Sequence, residues 1–384
     1  MTGHGPRSGR GRGVAPDDGR NIDPTMGILQ GEGSDQRVPD DRARAEGAAP
    51  FAVWKTAPSR KGQAGGSAAP EPTYYGRPVL KQPVWIWAVP AYFFSGGVAG
   101  AAAVLGAAAQ VSGREELDGL ITRCRWTAAI GSAIGTGLLI HDLGRPERFL
   151  NMLRVFRPSS PLNVGSWVLA AAGPLTASSA ILSGAGGGAG AVGDAAGYAG
   201  GAVGLPLAGY TAVLVSSTAV PVWSEIRRSL PALFVASAVT GAASFLQLLK
   251  LNRREESIVR RFAVAGAAAD LAAGLAVDRS GGRVDGVGSA LHEGLAGSFL
   301  RAAKTLTAGS LAINVIPGRA RWKRMAAGLL GALGSAATKF GVFYAGQASA
   351  RDPHATFLQQ RAGYGAAEVT RRSAVTGPEG RATR

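Results

Sequence analysis

Cysteine is nearly absent: the 384 residues contain one, Cys124. That excludes an intrachain disulfide framework and any iron–sulfur cluster held by cysteines of this chain alone. Histidine is scarce as well. Of the four, His4 and His354 flank the apolar body, leaving only His141 and His292 inside it. A multihaem membrane cytochrome needs paired histidines on facing helices, so the expectation is a chain without haem. Acidic residues are outnumbered, 25 against 41 basic ones, for a net charge of +16 and an isoelectric point near 10.8. The basic residues lie in short loops between apolar runs and in the two tails, which is the distribution of membrane topology, and no nucleic-acid partner is expected.

What the chain does have is a succession of apolar segments rich in Ala, Gly, Leu and Val. Each is near the length a helix needs to cross about 30 Å of hydrocarbon. Spans are expected at 84–110, 122–142, 163–183, 199–222, 230–250, 257–277, 296–316 and 325–345. The fold class is therefore an all-α integral membrane protein with about eight transmembrane helices, whose first partner is the lipid bilayer. The seventh span carries Arg301 and Lys304 on one face, which suits an interfacial or inward-packed helix as well as a crossing. Gly96 with Gly100 and Gly131 with Gly135 have the small-xxx-small spacing that lets helices approach closely in lipid.

Residues 1–72 mix Gly, Pro, Arg and Asp with few large apolar groups and read as a disordered N-terminal extension. The first apolar run, from Val84, is too long for a secretory signal, so the first helix serves for insertion. Residues 73–345 form the membrane domain and 346–384 a polar tail. Basic residues before helix one, after helix two and after helix four place the N-terminus in the cytoplasm. Arginines 253, 254, 260 and 261, and the basic group at 319–324, then fall on the other side, and the 184–198 loop has no Lys or Arg.

The richest stretch is HDLGRPERFLNMLRVFRPSSPLNVGSW, His141 to Trp167, where an apolar helix ends in a His-Asp pair and opens into an arginine-studded loop. Ionisable groups at a membrane boundary are costly unless they pair or face water, and they commonly mark a functional site.

This block, with TYYGRPVLKQPVWIWAVPAYFFSGGVAGAAA at 73–103, TAVPVW and SEIRRSLP at 218–231, and FGVFYAGQASARDP at 340–353, resembles the NrfD/PsrC family of polysulfide-reductase-type membrane subunits. The resemblance implies two four-helix bundles that bind a quinone, menaquinone or ubiquinone, near one membrane face, with no haem or iron–sulfur cluster in this chain. It implies as partners a four-cluster iron–sulfur protein and, beyond it, a molybdopterin-type catalytic subunit. Family members often carry a histidine beside the glutamate of the fourth helix; Ser224 takes that place here, which weakens a proton path through Glu225.

Quinone reduction takes two electrons and two protons, so its two carbonyls need hydrogen-bond partners. His141 and Asp142 suit that work as donor and orienting carboxylate, with Arg145 beside them; a helix cap that merely satisfies loop amides is the competing account of the pair. Tyr92 and Trp167 are candidates to pack on the quinone ring, or are interfacial anchors. Arg148, Arg154 and Arg157 are candidates for docking an acidic partner. Glu225, Asp270 and Lys339 lie deep enough to need partners, as a structural bridge or a proton route. A secondary transporter and a catalytically silent anchor remain the alternative functions.

Overall fold

The computed structural model describes residues 80–361 apart from 144–146, 148, 285 and 319. The expected extension at 1–72 lies outside the described residues, as does the tail beyond 361. Eight long helices are present: α1 Ala88–Val111, α2 Asp118–Asp142, α3 Pro161–Ile181, α4 Gly187–Ser216, α5 Leu230–Leu248, α6 Arg253–Gly281, α7 Gly294–Val315 and α8 Arg321–Arg351. No strand occurs among the described residues. Five helices, α1, α3, α4, α5 and α8, are long and apolar enough to cross a membrane. The seventh, α7, is not among them, and neither are α2 and α6, which carry charges in their first turns or interiors.

Helix pairing defines two four-helix bundles. In the first, α1 packs on α2, α2 on α3, α3 on α4 and α4 back on α1; α5 to α8 close a second ring in the same way. The bundles join where α1 meets α5 and α8 and where α4 meets α5. Small residues make the contacts. A Cβ on Gly100 would stand 2.5 Å from the Gly204 carbonyl and 2.7 Å from the Ala208 amide, so α1 and α4 cross backbone to backbone. Large apolar side chains face outward instead, as with Trp126, Ile130 and Ile134 along α2 and Met325, Leu329 and Leu333 along α8. Small residues inside and bulky ones outside are the pattern of helices associating in lipid, where tight van der Waals packing replaces the hydrophobic effect.

Local signals set the helix ends. Ser160 caps α3 by accepting from the Asn163 amide, with Pro161 in the first turn. Asn252 and Glu255 form a reciprocal capping box on α6. The fourth helix departs from the expected 199–222: it runs Gly187–Ser216, so most of the 184–198 stretch is helix and not loop. It stops where the hydroxyls of Ser216, Ser217 and Thr218 turn back onto the carbonyls of Val213 and Val215. Val220 is then extended ahead of Pro221, which opens a separate short helix, Pro221–Glu225. Pro174 and Pro206 lie within α3 and α4, both of which continue through them. Helix α8 extends to Arg351, and a further helix follows at Pro353–Arg361.

Candidate functional site

The His141 end of the first bundle is organised by main-chain contacts. Asp142, the last residue of α2, accepts a 3.0 Å hydrogen bond from the Ile86 amide, which holds the segment leading into α1. His141 is exposed, its ring tilted at 6.3 Å from Trp87. Asn163, unremarked in the sequence, ties down the following loop: its carboxamide donates to the carbonyls of Met152 and Val155 and accepts from the Arg157 amide. Arg154 and Arg157 remain exposed at this surface together with Leu150, Val155 and Phe156. Arg145 and Arg148 lie outside the described residues.

The two candidate ring partners separate. Tyr92 is buried in the first bundle, where a Cβ on Gly135 would lie 3.2 Å from its ring. Gly135 precedes His141 by six residues, or about 9 Å of helix. Trp167 faces outward, edge-on to Phe156 at 6.1 Å. The structure thus brings His141 to Trp87 and Asp142 to Ile86, leaves Tyr92 deeper in the bundle, and turns Trp167 to the surface.

Glu225 sits in the short helix Pro221–Glu225 and not at the end of α4. It is buried, with one carboxylate oxygen accepting from Gln359 at 3.4 Å and the other without a partner among the described residues. The same helix is anchored by Trp223, whose indole donates to the Val342 carbonyl at 2.8 Å and stacks on Trp85. The loss of a Cβ at Gly346 makes room for that indole.

Asp270 on α6 and Lys339 on α8 are both buried inside the second bundle and interact electrostatically. They do not form the expected interhelical bridge, since no ion pair within 4.0 Å joins them among the described residues. The Lys339 ammonium instead donates to the Phe234 carbonyl at 2.9 Å and lies 3.7 Å from the centroid of that residue's ring.

Two cavities open at the opposite end of the helices from His141. One lies in the first bundle beside Gln110, Arg125 and Ser179. There Arg125 pairs with Asp194 at 2.7 Å. The other is lined by Gln247, Asn314, Glu256, Arg260, Lys323 and Arg324 in the second bundle. An ion pair at 2.8 Å between Arg123 and the buried Glu255 connects the bundles at this same end.

Apolar helices with bulky outward side chains and small residues at their crossings define a multi-pass α-helical membrane protein. Residues 79–182, which comprise α1 to α3 with the His141 loop, match the family NrfD, described as polysulphide reductase, NrfD. Over this segment, about a quarter of the chain, the sequence is similar to NrfD. The matched region contains the 141–167 block and most of the 73–103 block on which the resemblance rests; the blocks at 218–231 and 340–353 fall outside it. No curated protein matches the chain.

Proposed function

We propose that this protein is the quinone-reactive membrane subunit of a bacterial oxidoreductase, seated in the inner membrane with its N-terminus in the cytoplasm. It exchanges electrons between menaquinone or ubiquinone and a docked four-cluster iron–sulfur protein, itself carried with a molybdopterin-type catalytic subunit. The observation that carries this reading is the NrfD match over residues 79–182, because that segment ends α2 with His141 and Asp142 at a bundle mouth.

Quinone is the substrate, and its reduction consumes two electrons from the partner's clusters and two protons. His141 is exposed and makes no hydrogen bond among the described residues, so its ring is available to a quinone oxygen. Asp142 is fixed by Ile86 and sets the helix end on which the imidazole stands. A protonated imidazole that hydrogen-bonds the quinone oxygen, passes it a proton as the electrons arrive and is reprotonated from water performs general acid catalysis of the ordinary kind. Arg145 follows His141 by four residues in the sequence, while Tyr92 is buried in the first bundle and Trp167 faces outward. Exposed Arg154 and Arg157 form the basic surface for the partner, flanked by apolar Leu150, Val155 and Phe156. Asp270, Lys339 and Glu225 are the buried ionisable groups through which redox chemistry couples to proton movement.

The test is purification in mild detergent without added quinone, followed by mass spectrometry of co-purifying proteins and extracted lipids. An iron–sulfur protein and bound quinone are expected, and His141→Ala should lower quinone-linked turnover of the intact complex by about 10²-fold or more. A chain recovered alone, without quinone and without affinity for a quinone-site inhibitor, overturns the reading in favour of a transporter. A complex whose activity is indifferent to His141→Ala and Asp142→Asn makes the chain a silent anchor.

A further inference from the structure

The second bundle contains more buried polar chemistry than its packing uses. Ser244 (1% exposed) and Gln247 (2%) on α5, Thr307 (1%) on α7 and Asp270 (4%) on α6 each point an oxygen that has no hydrogen-bond partner among the described residues into the bundle. In a lipid-embedded bundle an unsatisfied polar atom is costly, and water is the usual remedy where the site is polar and roomy.

These groups are ordered along the bundle axis. At the outer end, Gln247 donates to Asn314 at 2.6 Å, and both line the small pocket that opens past Arg260, Lys323 and Arg324. Asn314 donates in turn to the Ser310 carbonyl at 2.9 Å. One level further in, the hydroxyls of Ser244 and Ser310 converge on Gly331, where a Cβ would collide with both. Thr307 then faces Gly334 in the same manner. Next come Ser237 and Ser335, 3.1 Å apart, and beyond them Lys339. The series ends there. Past Lys339 stand the buried rings of Phe234, Phe343 and Trp223 in the apolar core, and Glu225 lies on their far side.

We propose that the second bundle holds a one-sided, water-filled half-channel. It opens on the face bearing the α7–α8 connection, opposite to the His141 loop, and brings water, and protons along it, to Asp270 and Lys339. Gly331 and Gly334 of α8 admit the hydroxyls of Ser244, Ser310 and Thr307 that line it, and the aromatic layer closes it. Glu225 is not part of this passage.

The experiment reads water directly, so it needs no quinone chemistry and can fail while the quinone reading stands. In a Cys124→Ala background, which removes the sole cysteine, Ser310→Cys, Thr307→Cys and Val342→Cys are introduced singly into the full chain. Each is exposed to a short X-ray dose that makes hydroxyl radicals from neighbouring water, and thiol oxidation is measured by mass spectrometry on protein that retains its thermal transition. Oxidation at positions 310 and 307 at least ten-fold faster than at 342 is expected. Adding Gly331→Ala should slow it at 307 more than at 310, because the methyl blocks the passage between them. Oxidation at 310 and 307 as slow as at 342 overturns the half-channel. A rate at 307 indifferent to Gly331→Ala overturns its one-sidedness.

Discussion

Replacing Lys339 by Met tests whether Asp270 and Lys339 act as one charged unit across the second bundle. The substitution removes a charge-assisted hydrogen bond to the Phe234 carbonyl, worth about 1.5–3 kcal/mol, and a desolvated cation–π contact with the Phe234 ring, worth about 2 kcal/mol. Methionine restores much of the lost volume, so cavity formation adds little. The larger effect is on Asp270, whose carboxylate keeps its burial and loses its countercharge. Because the two stand beyond ion-pair distance, the loss is that of a separated buried pair of charges, about 2–3 kcal/mol. Asp270→Asn removes the stranded charge, so the double variant should be more stable than the sum of the single effects by about 2 kcal/mol or more. Unfolding in mixed micelles, followed by tryptophan fluorescence for the wild type, both singles and the double, yields the coupling energy. A coupling energy near zero, with Lys339→Met costing under about 1 kcal/mol, refutes the reasoning and leaves Lys339 a packing residue that happens to carry an ammonium.

Other positions respond in opposite directions. Gly100→Ala should destabilise by about 1–3 kcal/mol, since its methyl must displace the α4 backbone, whereas Gly137→Ala, with nothing within 4 Å, should stabilise by about 0.5–1 kcal/mol; melting temperatures in detergent rank the two. Arg123→Ala should cost about 3–5 kcal/mol by stranding buried Glu255, and Arg123→Ala with Glu255→Gln should recover part of it in the same assay. Asn163→Ala removes the bonds that hold the 149–160 loop, so limited proteolysis within that loop should accelerate several-fold while the melting temperature falls by only a few degrees.

Much of the architecture was readable because lipid imposes a simple rule: a crossing helix is a long apolar run. Seven of the expected spans overlie long helices, and four of those seven, α1, α3, α5 and α8, are apolar enough to cross. The fourth does not, because residues 187–198, rich in Gly and Ala, have the hydropathy of a loop but pack as helix against α3. Its far end was obscured because the stop at Ser216 depends on hydroxyls turning back onto carbonyls and on Pro221 restarting the helix, and neither lowers the apolarity of the window. Glu225 was misplaced for the same reason. At the site, His141 and Asp142 were visible as ionisable residues ending an apolar run, but the bond from Ile86 to Asp142 joins positions 56 apart in sequence. Asn163, Gln247 and Asn314 look like ordinary helix-end amides, and only the tertiary fold shows what each one holds. The intact passage of α3 and α4 through Pro174 and Pro206 was likewise invisible in composition.

The segment ahead of α1 has a consequence for biogenesis. It is held from one side by Asp142 through Ile86 and from the other by Gln347, which donates to the carbonyls of Pro83 and Trp85, and by Arg351, which donates to Gln82. These latter partners are 262 to 269 residues away. That segment cannot be fully fastened until α8 has emerged from the ribosome. Residues 80–87 act as a latch that waits on α8, and a chain truncated before Gln347 would leave it undone.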